Sequence, residues 1–472
     1  MARSRKSQSQ QLTLSFPDEA ELVQEQVKPE LAHDGLRGYP AQTTETIREP
    51  LECKLLDQVL SPQNMRAALK RVKRNNGAAG IDNMAVKELT DHLLENWSCI
   101  RQSIMDGNYR PQPVRRVEIP KPTGGMRLLG IPTVVDRLIQ QAILQVLTPV
   151  FDPQFSESSY GFRPGRRGHD AVRQAREYIR MGYSWVVDLD LEKFFDRVNH
   201  DMLMARVARK VHDKKLLGLI RLFLESGVLI DGVVILDTEG TPQGGPLSPL
   251  LSNIMLDDLD KELERRGHKF VRYADDCNIY VRSQRAGERV KTSVTTFLEK
   301  RLRLKVNEGK SAVDRPWNRK FLGFTIEASK LRIVLAAQSI AKVKEKIRNL
   351  TKRNRSMSMS ERIKRLNQFI GNWLGYFALS EFASTFHDLE AWIRRRLRAC
   401  LWTQWKLVRT RIRKLRGLGL SEPQVMGMAT SRKGCWRLSR TLPLHRALGK
   451  AYWLAQGLKP VEERYHAIRN KW

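Results

Sequence analysis

The sequence predicts an α+β protein in which a region of mixed strands and helices lies between two helical regions. Apolar residues recur at helical spacing from about residue 51 to Met105. Alternating or clustered β-branched and aromatic residues, which are typical of strands, occur between Pro111 and about Leu335 and disappear after Ala336. The length of 472 residues and the hydrophobic fraction of 41% allow about two to four domains with a sizeable core.

Two segments make up the N-terminal part of the chain. Residues 1–50 are polar and rich in Gln, Ser, Glu and Pro, so we expect them to be flexible. Residues 51–110 have a helical pattern in which Ser61 is placed to cap a helix and Pro62 to occupy its first turn. A glycine-rich stretch from Gly77 ends this helix, and a second helical run covers residues 86–105.

The mixed region begins with two strands in residues 114–133, joined by a turn at residues 122–125, and a helix follows. A strand starting near Trp185 runs into a helix. Further on, a strand, a glycine-rich loop and a helix follow one another, and we expect Ser248 to be the N-cap of this helix and Pro249 its first residue.

Two adjacent carboxylates, Asp275 and Asp276, lie between the strand-like runs KFVRYA and CNIYV. In one continuous strand one of them would point into the core, so we expect a hairpin with both at its tight turn. A solvated turn is the ordinary explanation for such a pair. However, Asp190 ends the earlier strand, and carboxylates on neighbouring strand ends can hold two Mg²⁺ ions for phosphoryl transfer.

Helices alone are predicted after Ala336, with Ser358-x-x-Glu361 as a capping box. A basic ridge follows with few acidic residues in it and with Trp402 and Trp405 beside it, which favours RNA or DNA contact over a merely solvated face. The candidate RNA-binding residues are Arg394, Arg395, Arg396, Arg398, Lys406, Arg409, Arg411, Arg413 and Lys414.

The charge balance also indicates a polyanionic partner. The chain has 83 Lys and Arg against 51 Asp and Glu, a formal net charge of +32. A structural nucleic-acid-binding protein would share this signature. The five cysteines form no CxxC pair, which argues against a zinc ribbon or a disulfide framework. No secretory signal and no run of about 20 apolar residues is present, so we expect no membrane partner.

Seven sequence blocks, taken together, resemble the group II intron-encoded reverse transcriptases, also called maturases, and the resemblance spans about residues 55–419. Tyr273–Asp276 is similar to the family's YADD signature, and residues 190–196 (DLEKFFD) to the block with the other metal-binding aspartate. The remaining blocks are IPKP through Arg127, SYGFRP at 159–164, GTPQGGPLSP at 240–249, LKVN through Lys310, and FLGF at 321–324.

This resemblance implies a right-hand polymerase with reverse-transcriptase fingers and palm at 111–335. It implies an RNA-binding N-terminal extension at 51–110 and an α-helical thumb, the maturase domain X, at 336–420. For residues 421–472 we expect a small basic DNA-binding region. We expect no HNH endonuclease there, because this stretch holds one cysteine, Cys435, and two histidines, His445 and His466.

Site roles follow from the same resemblance. Asp190, Asp275 and Asp276 would be catalytic, and would bind two Mg²⁺ ions together with the carbonyl of Leu191. Other residues would contact the nucleotide or the template, although some could be ordinary surface charges. Lys121 and Arg127 would clamp the triphosphate, Phe195 would pack under the sugar, Gln243 would touch the nucleotide, and Lys310 would be a general acid.

We therefore predict an RNA-directed DNA polymerase that binds its group II intron RNA, assists its splicing and copies it into DNA during retrohoming. Its partners would be the intron RNA, a DNA target and primer, and dNTPs, in a cytoplasmic, nucleoid-associated ribonucleoprotein. Two alternatives stay open: a host-adopted reverse transcriptase of the same lineage in DNA repair or defence, and a splicing chaperone with an inactive polymerase.

Overall fold

The computed structural model describes residues 54–120, 126–230, 233–235 and 244–471, with the backbone alone for residues 120, 127, 128, 228–230 and 233–235. The chain divides into two compact units. Unit 1 consists of the chain up to Arg167, Val187–Ile279 and Glu288–Ala312; unit 2 consists of Gly168–Val186, Tyr280–Gly287 and Val313–Trp472. The predicted flexible segment, residues 1–50, lies outside the described residues.

The helices of the described residues are, in chain order, α1 (Leu55–Leu60), α2 (Pro62–Asn75), α3 (Leu89–Met105), α4 (Val134–Phe151), α5 (Gly168–Arg180), α6 (His200–Val207), α7 (Lys214–Leu224), α8 (Ser248–Arg265), α9 (Gln284–Arg301), α10 (Ala337–Leu350), α11 (Met359–Phe377), α12 (Ala383–Gln404), α13 (Val408–Gly417), α14 (Glu422–Ala429), α15 (Cys435–Leu438), α16 (Leu442–Ala447), α17 (Lys450–Ala455) and α18 (Val461–Arg469). The strands are β1 (Val114–Pro120), β2 (Met126–Ile131), β3 (Trp185–Leu189), β4 (Val228–Ile230), β5 (Val233–Ile235), β6 (Lys269–Tyr273), β7 (Asp276–Val281), β8 (Ala312–Asp314), β9 (Phe324–Ile326) and β10 (Ile333–Leu335). None of these helices is both long enough and apolar enough to cross a membrane.

The N-terminal helices of unit 1 form as the sequence predicts. Ser61 separates α1 from α2, and its hydroxyl accepts a hydrogen bond from the backbone N–H of Asn64 at 3.4 Å, which confirms it as the N-cap. The apolar face of α2 packs on α4, and the Asn64 side chain donates to the Ala142 carbonyl at 3.1 Å. Residues 55–75 are thereby fixed to the centre of unit 1.

One sheet of unit 1 has the strand order β2-β1-β4-β5. β1 and β2 form the predicted antiparallel pair, in a register from Arg115 opposite Ile131 to Pro120 opposite Met126. β4 runs parallel to β1, and β5 antiparallel to β4. The turn between β1 and β2 lies outside the described residues.

A second sheet has the strand order β6-β7-β3-β8 and carries the acidic residues. β6 ends at Tyr273 and β7 begins at Asp276, so the predicted hairpin with its carboxylates at the turn is confirmed. Helix α8 packs against β6. The prediction of Ser248 as N-cap is wrong by one residue: Leu247 holds that position, Ser248 begins the helix, and no side chain caps it.

Unit 2 contains the antiparallel pair β9 and β10 and the helices from α10 onward. The predicted cap of α11 is confirmed, because the Ser358 hydroxyl accepts a hydrogen bond from the N–H of Glu361 at 3.2 Å. Ile363, Leu366 and Ile370 lie on the buried face of α11, as their spacing predicts.

The chain after α13 forms a set of short helices that pack on α12. The rings of Phe386 and Tyr465 stack at 4.2 Å, and the Tyr465 hydroxyl donates to the Ser380 carbonyl at 2.9 Å. The Glu390 carboxylate accepts hydrogen bonds from the first two N–H groups of α18, those of Val461 at 2.8 Å and Glu462 at 3.1 Å. These contacts attach α18 to α12 within one compact unit.

Candidate active site

Asp190 follows the last residue of β3 and is tied to the segment of residues 305–311. Its N–H donates to the Ser311 hydroxyl at 3.0 Å, and its carbonyl accepts from the N–H of Asn307 at 2.8 Å. Its carboxylate oxygen Oδ2 lies 3.2 Å from the Lys310 ammonium. The position of this carboxylate is therefore set by backbone bonds on one side and by a cation on the other.

Leu191 makes an isolated antiparallel bridge with Val306. The two hydrogen bonds of this bridge involve the neighbours of Leu191: Asn307 donates to Asp190, and the N–H of Glu192 donates to the Lys305 carbonyl at 2.9 Å. In such a bridge the carbonyl of the central residue points away from the partner segment. The Leu191 carbonyl is thus directed away from residues 305–307, while its side chain is buried.

The Asp-Asp turn, which we define as Tyr273–Asp276, joins β6 to β7. Ala274 has a left-handed backbone with φ +58°, Asp275 is half-buried and Asp276 is exposed. Because β7 lies next to β3 in the sheet, the Asp-Asp turn and Asp190 belong to neighbouring strands.

The segment Tyr160–Phe162 lies against the Asp-Asp turn, and sequence reasoning did not single it out as a site. A Cβ on Gly161 would lie 2.2 Å from the Ala274 nitrogen, so only glycine allows this close approach. Phe162 has φ +60°, a strained conformation for an aromatic residue, and its side chain is 50% exposed. Its ring lies 6.4 Å from that of Tyr273.

The predicted nucleotide-binding residues fall in different places. Phe195 lies on a short 3-10 helix, buried and in edge contact with the Phe194 ring at 5.2 Å. Lys310 contacts Asp190. The backbone of Arg127 is in β2, opposite Ile119, and its side chain lies outside the described part. Lys121 and Gln243 lie outside the described residues.

Gly244, the first described residue after the glycine-rich loop, packs against β2. It has φ +132°, and a Cβ here would lie 2.3 Å from the Gly130 carbonyl oxygen. A side chain at this position would therefore clash with the strand that carries Arg127.

The donor set suits a hard divalent cation. Carboxylate oxygens of Asp190 and Asp275 and a backbone carbonyl are the ligands that Mg²⁺ prefers, and Mg²⁺ keeps several waters besides. The Lys310 ammonium beside Asp190 shows that a cation is accommodated there. Within the described ranges, no group of three or more His, Cys, Asp or Glu side chains is close enough to form a complete metal cage.

Several residues of the predicted basic ridge are engaged within unit 2. Arg394 pairs with Glu390, and the Arg396 guanidinium bonds to the Thr351 hydroxyl. Arg395 stacks over the Trp436 ring at 3.9 Å. The Arg411 Nε donates to the Trp405 carbonyl at 2.9 Å. The Arg394 pair lies within α12, whereas the other three contacts join α12 or α13 to neighbouring segments.

The expectation that Arg398, Trp402 and Trp405 lie on a nucleic-acid-binding surface is wrong, because all three are buried. The Arg398 guanidinium donates to the carbonyls of Ser439 at 2.9 Å and Leu448 at 3.3 Å, the residues that directly follow α15 and α16. Burial, together with the nearby Arg394 and Arg395, lowers the pKa of Arg398 to about 10.

A smaller basic surface does face solvent. It is formed at the start of α13 and along its length by residues that are all exposed: Lys406, Arg409, Arg413 and Lys414. Leu407 and Val408 are exposed beside them, 52% and 44% respectively. We call these four residues the α13 basic surface.

Comparisons with known proteins match both halves of the chain. Residues 119–326 match the family described as reverse transcriptase (RNA-dependent DNA polymerase), and residues 340–418 match the group II intron maturase-specific domain. The protein YkfC of Escherichia coli is 31% identical over 300 residues, covering 55% of this chain and 79% of that protein. The group II intron-encoded protein LtrA of Lactococcus lactis is 37% identical over 225 residues.

The chain belongs to the group II intron-encoded reverse transcriptases. Its palm is that of an RNA-directed DNA polymerase, and its helical region after β10 contains the maturase domain of the family. The LtrA alignment covers 46% of this chain but 36% of LtrA. A partial Cas6-RT-Cas1–Cas2 complex matches at 28% identity over 52% of this chain and 42% of that chain, with a TM-score of 0.35, too low to indicate a shared overall fold by itself.

Proposed function

We propose that this reverse transcriptase copies RNA into DNA at Asp190, Asp275 and Asp276, and that its natural template is a group II intron RNA whose splicing it assists. The observation that carries this proposal is that Asp190 directly follows β3 and that the Asp-Asp turn leads into the neighbouring strand β7. These strands lie within the matched reverse-transcriptase region.

Two Mg²⁺ ions are the proposed cofactor, held by the carboxylates of Asp190 and Asp275 and the Leu191 carbonyl, with Asp276 as a further partner. With these residues holding the ions, the chemistry supplied would be a lower pKa of the primer 3′-hydroxyl and neutralisation of charge on the leaving pyrophosphate. The Lys310 ammonium lies 3.2 Å from the Asp190 carboxylate, and its proposed further role is to donate a proton to the leaving pyrophosphate.

The remaining nucleotide contacts are proposed from the family blocks. Lys121 and Arg127, on either side of the turn between β1 and β2, would bind the triphosphate as paired cations. The Phe195 ring is buried and cannot move aside, so it would collide with a ribose 2′-hydroxyl and exclude ribonucleotides. Gln243 would contact the nucleotide next to Gly244, where backbones pack closely.

RNA contact is proposed for the α13 basic surface and for the helices of residues 51–110. The charges of the α13 basic surface are exposed, so they can neutralise phosphates without breaking contacts inside unit 2. For residues 421–472 we propose DNA contact. The proposed process is retrohoming, in which the protein would use a DNA target, a primer and dNTPs. It would act there as part of a cytoplasmic, nucleoid-associated ribonucleoprotein.

The test separates DNA synthesis from splicing assistance. Asp190→Ala should abolish primer extension on an RNA template while leaving RNA binding and the splicing of a bound group II intron largely intact. The matched control is Asp196→Ala, which removes an exposed carboxylate of the same DLEKFFD block. Equal loss of splicing and DNA synthesis in a folded Asp190→Ala protein would contradict the proposed division of labour.

A further inference from the structure

Arg272 is a fully buried guanidinium on β6, three residues before Asp275. Burying a charge is costly unless it is paired and hydrogen-bonded. Its Nε and Nη2 donate to the two carboxylate oxygens of Asp260, on α8, at 2.7 and 2.5 Å, and Asp260 is equally buried. Burial alone would lower the pKa of Arg272, but the Asp260 carboxylate raises it above its ordinary value, so the guanidinium stays charged.

The other hydrogen bonds of Arg272 reach three different segments. Nη1 donates to the Asn253 side-chain oxygen at 3.0 Å and to the Ala274 carbonyl at 2.9 Å, and Nη2 donates to the Ser159 hydroxyl at 2.8 Å. Five hydrogen bonds use the full donor capacity of a guanidinium. Only one of them, to Ala274, reaches the Asp-Asp turn.

That contact falls where the backbone is strained. Ala274 has φ +58°. This left-handed conformation is sterically unfavourable for alanine but not for glycine, which has no Cβ. If Ala274 relaxed, the peptide between Ala274 and Asp275 would rotate and the Asp275 carboxylate would move with it. Gly161 packs against the Ala274 nitrogen, and the Asn253 amide donates to the Gly161 carbonyl at 2.8 Å. One network therefore contacts Ala274 both at its carbonyl and at its nitrogen.

We propose that Arg272, neutralised by Asp260, is a positioning residue that holds Ala274 in its left-handed conformation and thereby fixes the directions of the Asp275 and Asp276 carboxylates. The inference rests on the proposed polymerase function, in which these carboxylates are metal ligands. Arg272 affects the carboxylates by fixing the peptide between Ala274 and Asp275. An ion pair that only stabilised the fold would not fix the orientation of this peptide.

A second, partly buried pair on α8, whose aspartate also pairs with Arg209, provides the control. Arg206, on α6, is 8% exposed, and its Nε donates to the Asp258 carboxylate at 2.8 Å. Its Nη1 donates to the Met202 carbonyl at 2.7 Å. Arg206→Lys and Arg272→Lys both keep the charge opposite an α8 aspartate and both lose guanidinium hydrogen bonds. They differ in that the hydrogen bonds of Arg272 include one to Ala274.

The experiment compares Arg272→Lys, Arg206→Lys, Ala274→Gly and the double variant Arg272→Lys/Ala274→Gly in the full chain. Hydrogen–deuterium exchange of peptides covering residues 271–278 reports the order of the turn without requiring catalysis. Primer extension gives kcat and KM for dNTP. Should Arg272→Lys not fold, Asn253→Ala, which removes one bond to Arg272 and the bond to Gly161, takes its place.

We expect Arg272→Lys to speed exchange at the turn at least about threefold and to lower kcat about tenfold, with KM within about threefold, whereas Arg206→Lys changes neither beyond about twofold. The kcat penalty of Arg272→Lys should be at least about threefold smaller in the Ala274→Gly background, because glycine adopts the left-handed conformation without steric cost and depends less on Arg272 to hold it.

The inference is overturned if both lysine variants lower kcat in proportion to their loss of thermal stability, or if exchange at the turn does not change in Arg272→Lys. If Arg272→Lys lowers kcat by the same factor in the Ala274→Gly background as in the wild-type background, Arg272 does not act through the conformation of Ala274. If the wild-type protein makes no DNA, the proposed function fails instead, and the exchange data still decide whether Arg272 orders the turn.

Discussion

Arg398 and Arg413 carry the same charge on one stretch of sequence, yet they lie in opposite environments in the structure. Arg398 is buried and bonds to the carbonyls of Ser439 and Leu448, whereas Arg413 is exposed on the α13 basic surface. Methionine removes the charge from either side chain and keeps most of its aliphatic length. Arg398→Met and Arg413→Met therefore form a matched pair.

The cost of Arg398→Met comes mainly from the Ser439 carbonyl. The Leu448 carbonyl keeps a second donor, the Trp453 indole N–H at 3.0 Å, while Ser439 loses its bond to the guanidinium at 2.9 Å. A hydrogen bond to a charged group contributes about 1.5–3 kcal/mol. Relief of the buried charge offsets part of this, so we expect a loss of about 2 kcal/mol, or about 4–8 °C in Tm for a unit of this size.

Two assays separate the roles. Thermal unfolding should show the loss for Arg398→Met and a change within about 0.5 kcal/mol for Arg413→Met. RNA binding is measured at several salt concentrations, at a temperature below the Tm of both variants. In this assay Arg413→Met should be the affected variant. Arg413→Met should weaken binding and reduce the salt slope by roughly 0.7–0.9, and Arg398→Met should leave the slope unchanged. A reduced salt slope with an unchanged Tm for Arg398→Met would show that Arg398 contacts RNA and does not stabilise unit 2.

Three further predictions concern single contacts. Glu390→Ala should lower the stability of unit 2 by about 2 kcal/mol and expose the chain near Val461 to proteolysis, because α18 loses the acceptor at its first N–H groups; unchanged proteolysis would contradict this. Lys310→Met should strengthen Mn²⁺ binding measured by calorimetry, because an ammonium no longer competes for Asp190; equal or weaker binding would count against it. Burial raises the pKa of the Asp136 carboxyl group. Above about pH 4 the native state therefore keeps a proton that the unfolded state releases. As a result, the free energy of unfolding falls as the pH rises above about 4. The Asp136→Asn variant has no carboxyl group to titrate here, so its free energy of unfolding relative to wild type should increase between pH 4 and 7 in denaturant titrations. If the difference in free energy of unfolding between the two proteins stayed constant over this pH range, Asp136 would not have a raised pKa.

Features set by neighbouring residues in the chain could be predicted from the sequence. The caps at Ser61 and Ser358 depend on residues three positions away, and both form as expected. The hairpin with Asp275 and Asp276 at its turn follows from two strand-like runs and the cost of burying a carboxylate. The error at Ser248 is a shift of one residue at a helix end, where local signals are weakest.

Features that depend on distant segments could not be predicted. The charged face of α12 looks solvent-exposed in sequence, because nothing near Arg398 indicates that helices beyond residue 434 will cover it. Arg272 likewise reads as an ordinary strand residue, since its partners lie up to 113 positions away. Burial of a charge is decided by which segments meet in the fold, and helical periodicity alone does not contain that information.

Primer extension by the purified protein on an RNA template, with Mg²⁺ and dNTPs, tests the central claim most directly. It should be run beside Asp275→Ala/Asp276→Ala and the exposed-carboxylate control Asp196→Ala. We expect DNA synthesis by the wild-type protein and by the control, and none by the Asp275→Ala/Asp276→Ala variant. Tight RNA binding without DNA synthesis by the wild-type protein would contradict it and would point to a splicing chaperone whose carboxylates no longer serve catalysis.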